Sequence, residues 1–296
     1  MKKKLIFIFL DGVGFVKKSL NTNNFPYSLL KKLNNTNVQY NVWGVDANLN
    51  VEGIPQSGTG QVSLLCGINA AKSIGKHYGP FAHPEHFEII KNENLFKELN
   101  CKNINSYFIN AYPDKYFQLT QNGKYQGVFA KAFYLTFQKL NTYLNLLNKE
   151  AISGDITNLR WKKMGYDIEI INPTTGADII LKLLTTYDLV SYEYFFTDYI
   201  GHNRITGEDK ENLLNDLETF ILHLIKKIEN SNNTTLLICS DHGNIEEITH
   251  KNHTHNPVFF LSAGYQKDFF TTISTLYDTK NTIKQYFGVN NVKSQS

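Results

Sequence analysis

The sequence predicts an α/β fold: a mostly parallel sheet flanked by helices, carrying a small, mainly helical cap insertion. Three observations predict it. Short apolar runs recur without polar alternation, as in strands buried on both faces. Between them lie patterns with spacings of three and four, which mark helices covering a sheet. Residues 112–163 interrupt that rhythm, dividing the core into 1–111 and 164–296. With 296 residues, 42% of them hydrophobic, the chain is long enough for one large α/β domain with a modest insertion.

Leu5–Leu10 opens the series. The lysines before it imitate a secretory leader, but the run stops at Asp11-Gly12 after six residues. A leader needs about 7–15 apolar residues and a small-residue cleavage site. The run is therefore read as a buried strand ending in an acid. Pro55-Gln56-Ser57-Gly58-Thr59-Gly60-Gln61 feeds an apolar helical stretch from Val62 to Ala70. Ser106–Asn110 is the next strand. In the insertion, Phe129–Leu147 is a long helical pattern rich in Phe, Tyr and Leu, preceded by the polar loop Gln121-Asn122-Gly123; an ordinary long crossover is the alternative. Asp178–Leu184, following Pro173, is helical. Leu189–Phe196 is a strand. Leu213, Leu217, Phe220, Ile221, Leu224, Ile225 and Ile228 stripe one face of a helix that ends near Lys226 and Lys227. Thr235–Ser240 and Val258–Ser262 complete the strands, and the tail after Val292 is short and polar.

Composition narrows the partners. A net charge of +3, from 30 basic and 27 acidic residues without a basic stripe, argues against nucleic acid. Arginine occurs only at Arg160 and Arg204. No segment approaches the ~20 apolar residues of a membrane span, so no membrane partner is expected. Cys66, Cys101 and Cys239 are sparse, odd in number and without CxxC spacing, which points to a reducing, cytoplasmic compartment. No pattern sets an oligomeric state.

Chemistry gathers where strands end. Asp11 closes the first strand, Asp198 and His202 follow Leu189–Phe196, and Asp241 and His242 close Thr235–Ser240, with His253 a few residues on. In open α/β sheets, ligands bind at the carboxyl ends of strands. Three carboxylates and three imidazoles suit Zn²⁺ or Mn²⁺ and need no thiolate. Six donors are too many for one open catalytic ion and about right for two divalent metal ions. Ser57 lies near a helix N-terminus, where backbone N–H groups and the dipole favour a phosphate. By residue type alone Ser57 would simply cap the helix, and each acid alone would be a turn residue. His83, His86 and His223 read as surface or core residues. His77, His250 and His255 lie near motifs without fitting them. Gly75-Lys76-His77-Tyr78-Gly79 reads as a plain loop.

The order of these motifs carries a resemblance. Phe9-Leu10-Asp11-Gly12-Val13-Gly14, Ser57 before Gly-Thr-Gly, Asp198-x-x-Gly-His, Ser240-Asp241-His242-Gly243-Asn244 and His253-Thr254-His255-Asn256-Pro257-Val258 together resemble the alkaline phosphatase superfamily core. The likeness is greatest to cofactor-independent phosphoglycerate mutase and phosphopentomutase. It implies an alkaline phosphatase-like fold and two metal sites. One would take Asp11, Asp241, His242 and the Ser57 oxygen, and the other Asp198, His202 and His253. It makes Ser57 the nucleophile, with Thr59 the runner-up, and a phosphoserine the intermediate. Those mutases carry Gly-His where this chain has Gly60-Gln61, and their caps are larger. A mutase must also hold a second phosphate, usually with arginines; Lys76 or Lys163 could substitute. A sulfatase is disfavoured, since Ser57-Gly58-Thr59 lacks the Cys/Ser-x-Pro-x-Arg signature. The expectation is a binuclear metal-dependent phosphatase acting on a small phosphorylated metabolite. A phosphosugar or phosphoglycerate-type mutase, and a metal-binding scaffold without turnover, are the alternatives.

Overall fold

The computed structural model describes residues 1–17, 24–120, 125–247, 249 and 251–289. The Gln121-Asn122-Gly123 loop, His250 and the tail after Val292 lie outside these residues. Six strands form one mixed sheet: β1 (Lys4–Leu10), β2 (Tyr40–Val45), β3 (Ser106–Phe108), β4 (Leu189–Tyr194), β5 (Thr234–Cys239) and β6 (Val258–Gly264), in the order β2-β6-β5-β1-β4-β3. The pairs β3–β4, β4–β1 and β1–β5 are parallel, while β6 runs antiparallel to both β5 and β2.

The central strand shows why its sequence lacks alternation. Leu5 through Leu10 are all fully buried, because both faces of the sheet are covered. Register assigns the faces. Phe7 and Phe9 pair with Ser191 and Glu193, and Ile8 and Leu10 with Tyr192 and Tyr194. Successive side chains alternate across the sheet, so these two sets point opposite ways. Phe129 stacks on Phe9 at 4.6 Å on one face. Phe220 packs on Tyr192 at 5.5 Å on the other. The expected stripe from Leu213 to Ile228 is buried in the helix Gly207–Ile228, which packs on the helix Pro173–Leu183.

Several local expectations change. The Val62–Ala70 stretch starts earlier, as the helix Ser57–Cys66, and ends at Gly67 in the left-handed region at φ 67°. A short helix, Ala70–Ser73, follows. Strand β2 escaped the sequence reading because Asn41 and Gly44 break its apolar run. As an edge strand it is only half-buried, so it needs no continuous apolar face. The Ser106–Asn110 strand is shorter, since Asn110 leaves the β4 ladder to bridge Ile152.

The Phe129–Leu147 pattern is two helices, Val128–Phe137 and Tyr143–Leu147. Gln138 adopts φ 53° and returns its N–H to Tyr134, ending the first. Thr142 and Asn145 form a capping box that begins the second. The two also belong to different cores. Phe129 and Phe133 join the main core, whereas Leu146 packs with Ala111, Ala151, Trp161 and Ile168 in a separate small cluster. The segment 112–163 is thus divided between the sheet and that cluster.

Phe129 is fully buried against Phe9 and Phe108. Phe129→Ala should therefore lower unfolding free energy by about 3–5 kcal/mol, measurable by urea denaturation. A loss under about 1 kcal/mol would place this helix outside the main core energetically.

Candidate active site

Strand direction brings the expected residues to one edge. β1, β4 and β5 run parallel, so their carboxyl ends face the same way. Asp11 directly follows β1, and Asp241 lies just past β5. Asp198 sits in the short helix Phe196–Gly201 beyond β4, with His202 at its C-cap. Because β6 is antiparallel, the loop entering it arrives at that same edge, carrying His253.

The six side chains fall into two trios, Asp198–His202–His253 and Asp11–Asp241–His242. In the first, Asp198 Oδ1 lies 3.3 Å from His202 Nε2 and 3.6 Å from His253 Nε2. The two Nε2 atoms are 3.1 Å apart. His202 Nδ1 donates to the Lys251 carbonyl at 2.6 Å, and His253 Nδ1 donates to the Pro55 carbonyl at 2.8 Å. A carbonyl only accepts, so each Nδ1 holds the proton. In the neutral rings each Nε2 is then a bare lone pair. Two such lone pairs and a carboxylate oxygen aimed at one point repel unless a cation lies among them.

In the second trio, His242 Nε2 lies 3.2 Å from Asp11 Oδ1 and 3.7 Å from Asp241 Oδ1. Burial, together with the charge of Asp241, pushes the Asp11 carboxyl well above its usual range. Burial likewise raises Asp241 despite the pull of His242. Burial disfavours the charged His242 ring, but Asp241 and Asp11 push it up to about 10. A dry cluster that clings to its protons in this way is short of positive charge. The donor set and its charge deficit both fit divalent ions. The trios touch: the His242 and His253 rings stack at 3.7 Å. Asp198 differs from the other two acids. Although buried, it is held well below the usual carboxylate range when the His202 and His253 rings carry a proton on Nε2 and donate it, a role that a cation between them would take over from the neutral rings.

Ser57 joins the second trio. It is the first residue of its helix, Gln56 occupies the cap position, and Ser57 Oγ lies 2.9 Å from His242 Nε2. The Thr59 hydroxyl instead meets the backbone of Gln56 and Tyr78. Two glycines allow the close approach. A Cβ on Gly12, at φ +70°, would lie 2.9 Å from Asp198 Oδ1, and one on Gly60 would lie 2.9 Å from the Asp241 backbone oxygen. Among the described residues, three other histidines have partners outside the trios: His255 meets Asn48, His223 meets Asp178 and His86 meets Ser73.

Four supporting residues went unassigned in the sequence. Gln61, seen there only as a departure from Gly-His, donates to Asp241 Oδ2 at 3.2 Å. Asn244 donates to Asp198 Oδ1 at 2.9 Å, linking the β5 loop to the other trio. Glu246 accepts from the Gly14 and Asn244 N–H groups, both at 2.8 Å, from Thr254 at 2.6 Å and from Asn256 at 3.0 Å. It thereby ties together the three loops that carry Asp11, His242 and His253, yet no motif marks it. Glu193 had a signal, being an acid inside the apolar run of β4. It is buried and lines a cavity of about 1130 Å³ that opens beside both trios. Burial and the charge of Asp241 push its carboxyl up to about 8. Ser57, Gln61 and Asp11 line the same cavity.

This fold, with two trios of oxygen and nitrogen donors around a serine, defines an α/β metalloenzyme. The chain belongs to the metalloenzyme superfamily, the alkaline phosphatase superfamily of the sequence motifs: the family model matches residues 3–291. Membership implies divalent metal ions. Among solved structures, it is similar to the alkaline phosphatase of the Antarctic bacterium TAB5, at 12% identity and TM-score 0.59, covering 98% of this chain and 100% of that one. The PH0037 protein of Pyrococcus horikoshii is similar at 14% identity and TM-score 0.54, covering 98% of each. An alkaline phosphatase superfamily protein of Vibrio parahaemolyticus aligns at 11% identity and TM-score 0.53, over 97% of this chain and 67% of that one. At such identities these likenesses speak for the fold. No curated protein matches the chain.

Two measurements follow from this geometry. Glu246→Gln sets an amide N–H₂ against donors, so it should weaken metal binding at least about tenfold and cost about 2 kcal/mol. Metal titration and thermal melts check this, and wild-type metal affinity in the variant would contradict the clamp. Glu193 keeps in the fold a proton that the unfolded chain releases near 4.5. Its contribution to stability therefore falls as pH rises from about 4.5 to about 8. In chelator-treated protein, Glu193→Gln should raise the melting temperature relative to wild type more at pH 8 than at pH 4. Parallel pH curves for the two proteins would contradict it.

Proposed function

We propose that the protein is a binuclear metal-dependent phosphatase acting on a small phosphorylated metabolite through a phosphoserine at Ser57. The observation that carries this reading is Ser57 Oγ at 2.9 Å from His242 Nε2, at the N-terminus of a buried helix. Asp11, Asp241, His242 and the Ser57 oxygen would hold one ion, and Asp198, His202 and His253 the other. Mn²⁺ or Zn²⁺ fits these oxygen and nitrogen donors. Bound there, two divalent ions would supply a positive excess over three carboxylates, lowering the hydroxyl's pKa and drawing in a phosphoryl anion.

The chain's own residues would do the rest. Ser57 Oγ gives up its proton and attacks phosphorus, forming an Oγ–P bond as the ester P–O bond breaks. The departing alkoxide takes a proton to leave as an alcohol. Water then attacks the phosphoserine, releasing phosphate and restoring the hydroxyl. The helix that Ser57 opens would favour an anion at its N-terminus through its dipole, although the Thr59 N–H is already donated to the Tyr78 carbonyl at 2.9 Å. Gln61 fixes the Asp241 carboxylate. Among the described residues, no helix is long and apolar enough to cross a membrane. Free Cys66, Cys101 and Cys239 support a cytoplasmic setting.

Trapping tests the mechanism. Acid-quenched wild-type enzyme, sampled during turnover of a phosphomonoester with Mn²⁺ or Zn²⁺, should carry phosphate on the Ser57 peptide. Ser57→Ala should keep its fold, lose the phosphopeptide and lose turnover by about 10³-fold or more, retaining a residue of rate from positioning alone. A phosphoenzyme on Thr59, or normal turnover by Ser57→Ala, would overturn the role given to Ser57.

A further inference from the structure

The cavity beside the trios is far larger than a phosphoryl group needs. At about 1130 Å³ it reaches the size of pockets that enclose a drug-sized molecule. Aromatic rings line it from three parts of the chain. Phe195, Phe196 and Tyr199 contact one another with ring centres 4.5 to 6.0 Å apart. Tyr112 stacks on Tyr116 at 4.1 Å, and Phe81 meets Tyr125 edge-on at 5.7 Å. Among the described residues, no ring of one group packs on a ring of another. The three groups border one space without filling it.

The mouth of that space is apolar as well. Tyr125 is 66% exposed, Met164 54%, and Ile54 and Tyr199 38% each. They come from four separate stretches of sequence, yet all line this cavity. Single apolar side chains in water are ordinary, but a group of them converging on one opening beside a reactive centre marks a surface that a ligand covers. Two of the walls are also fixed relative to the chemistry. Tyr199 adjoins Asp198 in the helix Phe196–Gly201, and the Arg204 guanidinium lies over its ring at 5.4 Å. Phe81 is held against the helix of Ser57. The Thr59 N–H donates to the Tyr78 carbonyl at 2.9 Å, and a Cβ on Gly58 would collide with the carbonyl oxygens of Tyr78 and Phe81.

We propose that this cavity is a leaving-group subsite for a flat aromatic ring system, and that the natural substrate is a phosphate monoester of an alcohol bearing such a ring. The inference rests on the reading of the trios as a phosphoryl-transfer centre. The phosphoryl group would lie at Ser57 while the ring packs on Tyr125 and Tyr199. Aromatic pairs prefer offset-stacked and edge-to-face contacts, which rings can make and an alkyl group of equal size cannot.

The test compares phenethyl phosphate with cyclohexylethyl phosphate on metal-loaded enzyme. Both release a primary alcohol with the same number of carbons, so their intrinsic reactivity matches and only the flat π-system differs. A second pair, adenosine monophosphate against ribose phosphate, both esterified on the terminal sugar carbon, distinguishes a heteroaromatic base from a hydrocarbon ring. Wild type should favour the aromatic member of at least one pair by about fivefold or more in kcat/KM. Tyr125→Leu with Tyr199→Leu keeps apolar bulk but removes both rings, and should bring that ratio near one. Tyr125→Phe with Tyr199→Phe keeps the rings and should retain it. Metal content and melting temperature are measured alongside. A wild-type ratio near one in both pairs, or a preference that survives the double leucine variant, overturns the subsite. Should that variant not fold, Tyr125→Leu alone, at a side chain two-thirds exposed, decides: the ratio should fall at least about twofold, and an unchanged ratio overturns the subsite. If no ester turns over, the phosphatase reading fails instead. Calorimetric affinities of the metal-loaded protein for the same esters then decide the subsite: an aromatic preference lost in the leucine variants upholds it, and no preference overturns it.

Discussion

Unshared electron pairs converging in a dry site are the constraint on which the rest of this structure depends. Three carboxylates and three imidazoles occupy one edge of the sheet, half of them buried and half partly buried. Water solvates them poorly, and they cannot all be charged and unpaired. The second trio answers by retaining protons, with His242 up at about 10. The first fixes both imidazoles by their Nδ1 atoms so that their Nε2 lone pairs have no protein donor. Folding brings these groups together only because the backbone is locked on every side. Gly12 and Gly60 remove the Cβ atoms that would collide, and Glu246 accepts hydrogen bonds from three loops at once.

The sheet converts that local demand into a global one. Asp11 and Asp241 can meet only if β1 and β5 are adjacent and in register, and Asp198 joins them only if β4 flanks β1 on the other side. A slip of one residue in any of these pairs would turn the acids to opposite faces. The fully buried strand β1 is therefore as much a part of the site as its ligands. Phe9, two residues before Asp11, is pinned by Phe129 from the covering helix.

Much of this was legible in the sequence, and the unread parts have physical causes. The parallel strands could be read because burial on both faces leaves unbroken apolar runs, and the acids at their ends because polar residues stand out there. The stripe from Leu213 to Ile228 was legible for the same reason. Strand β2 was not, because an edge strand needs only one satisfied side and tolerates Asn41 and Gly44. The Phe129–Leu147 pattern misled because apolar periodicity continues across a break that Gln138 and the Thr142–Asn145 box impose through the backbone. Among site residues, the six donors were visible through type and order. Glu246 was not, since a glutamate serving only as a hydrogen-bond acceptor has no distinctive neighbours in sequence. Gln61 appeared as a mismatch to a pattern, and only its distance to Asp241 reveals the work it does.

The two trios are one mechanical unit. Asn244 leaves the β5 loop that bears His242 and donates to Asp198 in the other trio, while His242 and His253 stack face to face. His253 is in turn held by the carbonyl of Pro55, two residues before Ser57. A displacement of His253 is thus transmitted along a few covalent bonds to the serine, and through the ring stack to His242, the residue nearest its hydroxyl. Serine position and donor position cannot vary independently. That coupling explains why a side chain which, by type alone, would do no more than cap a helix stands instead with its oxygen fixed against a histidine at the mouth of a large cavity.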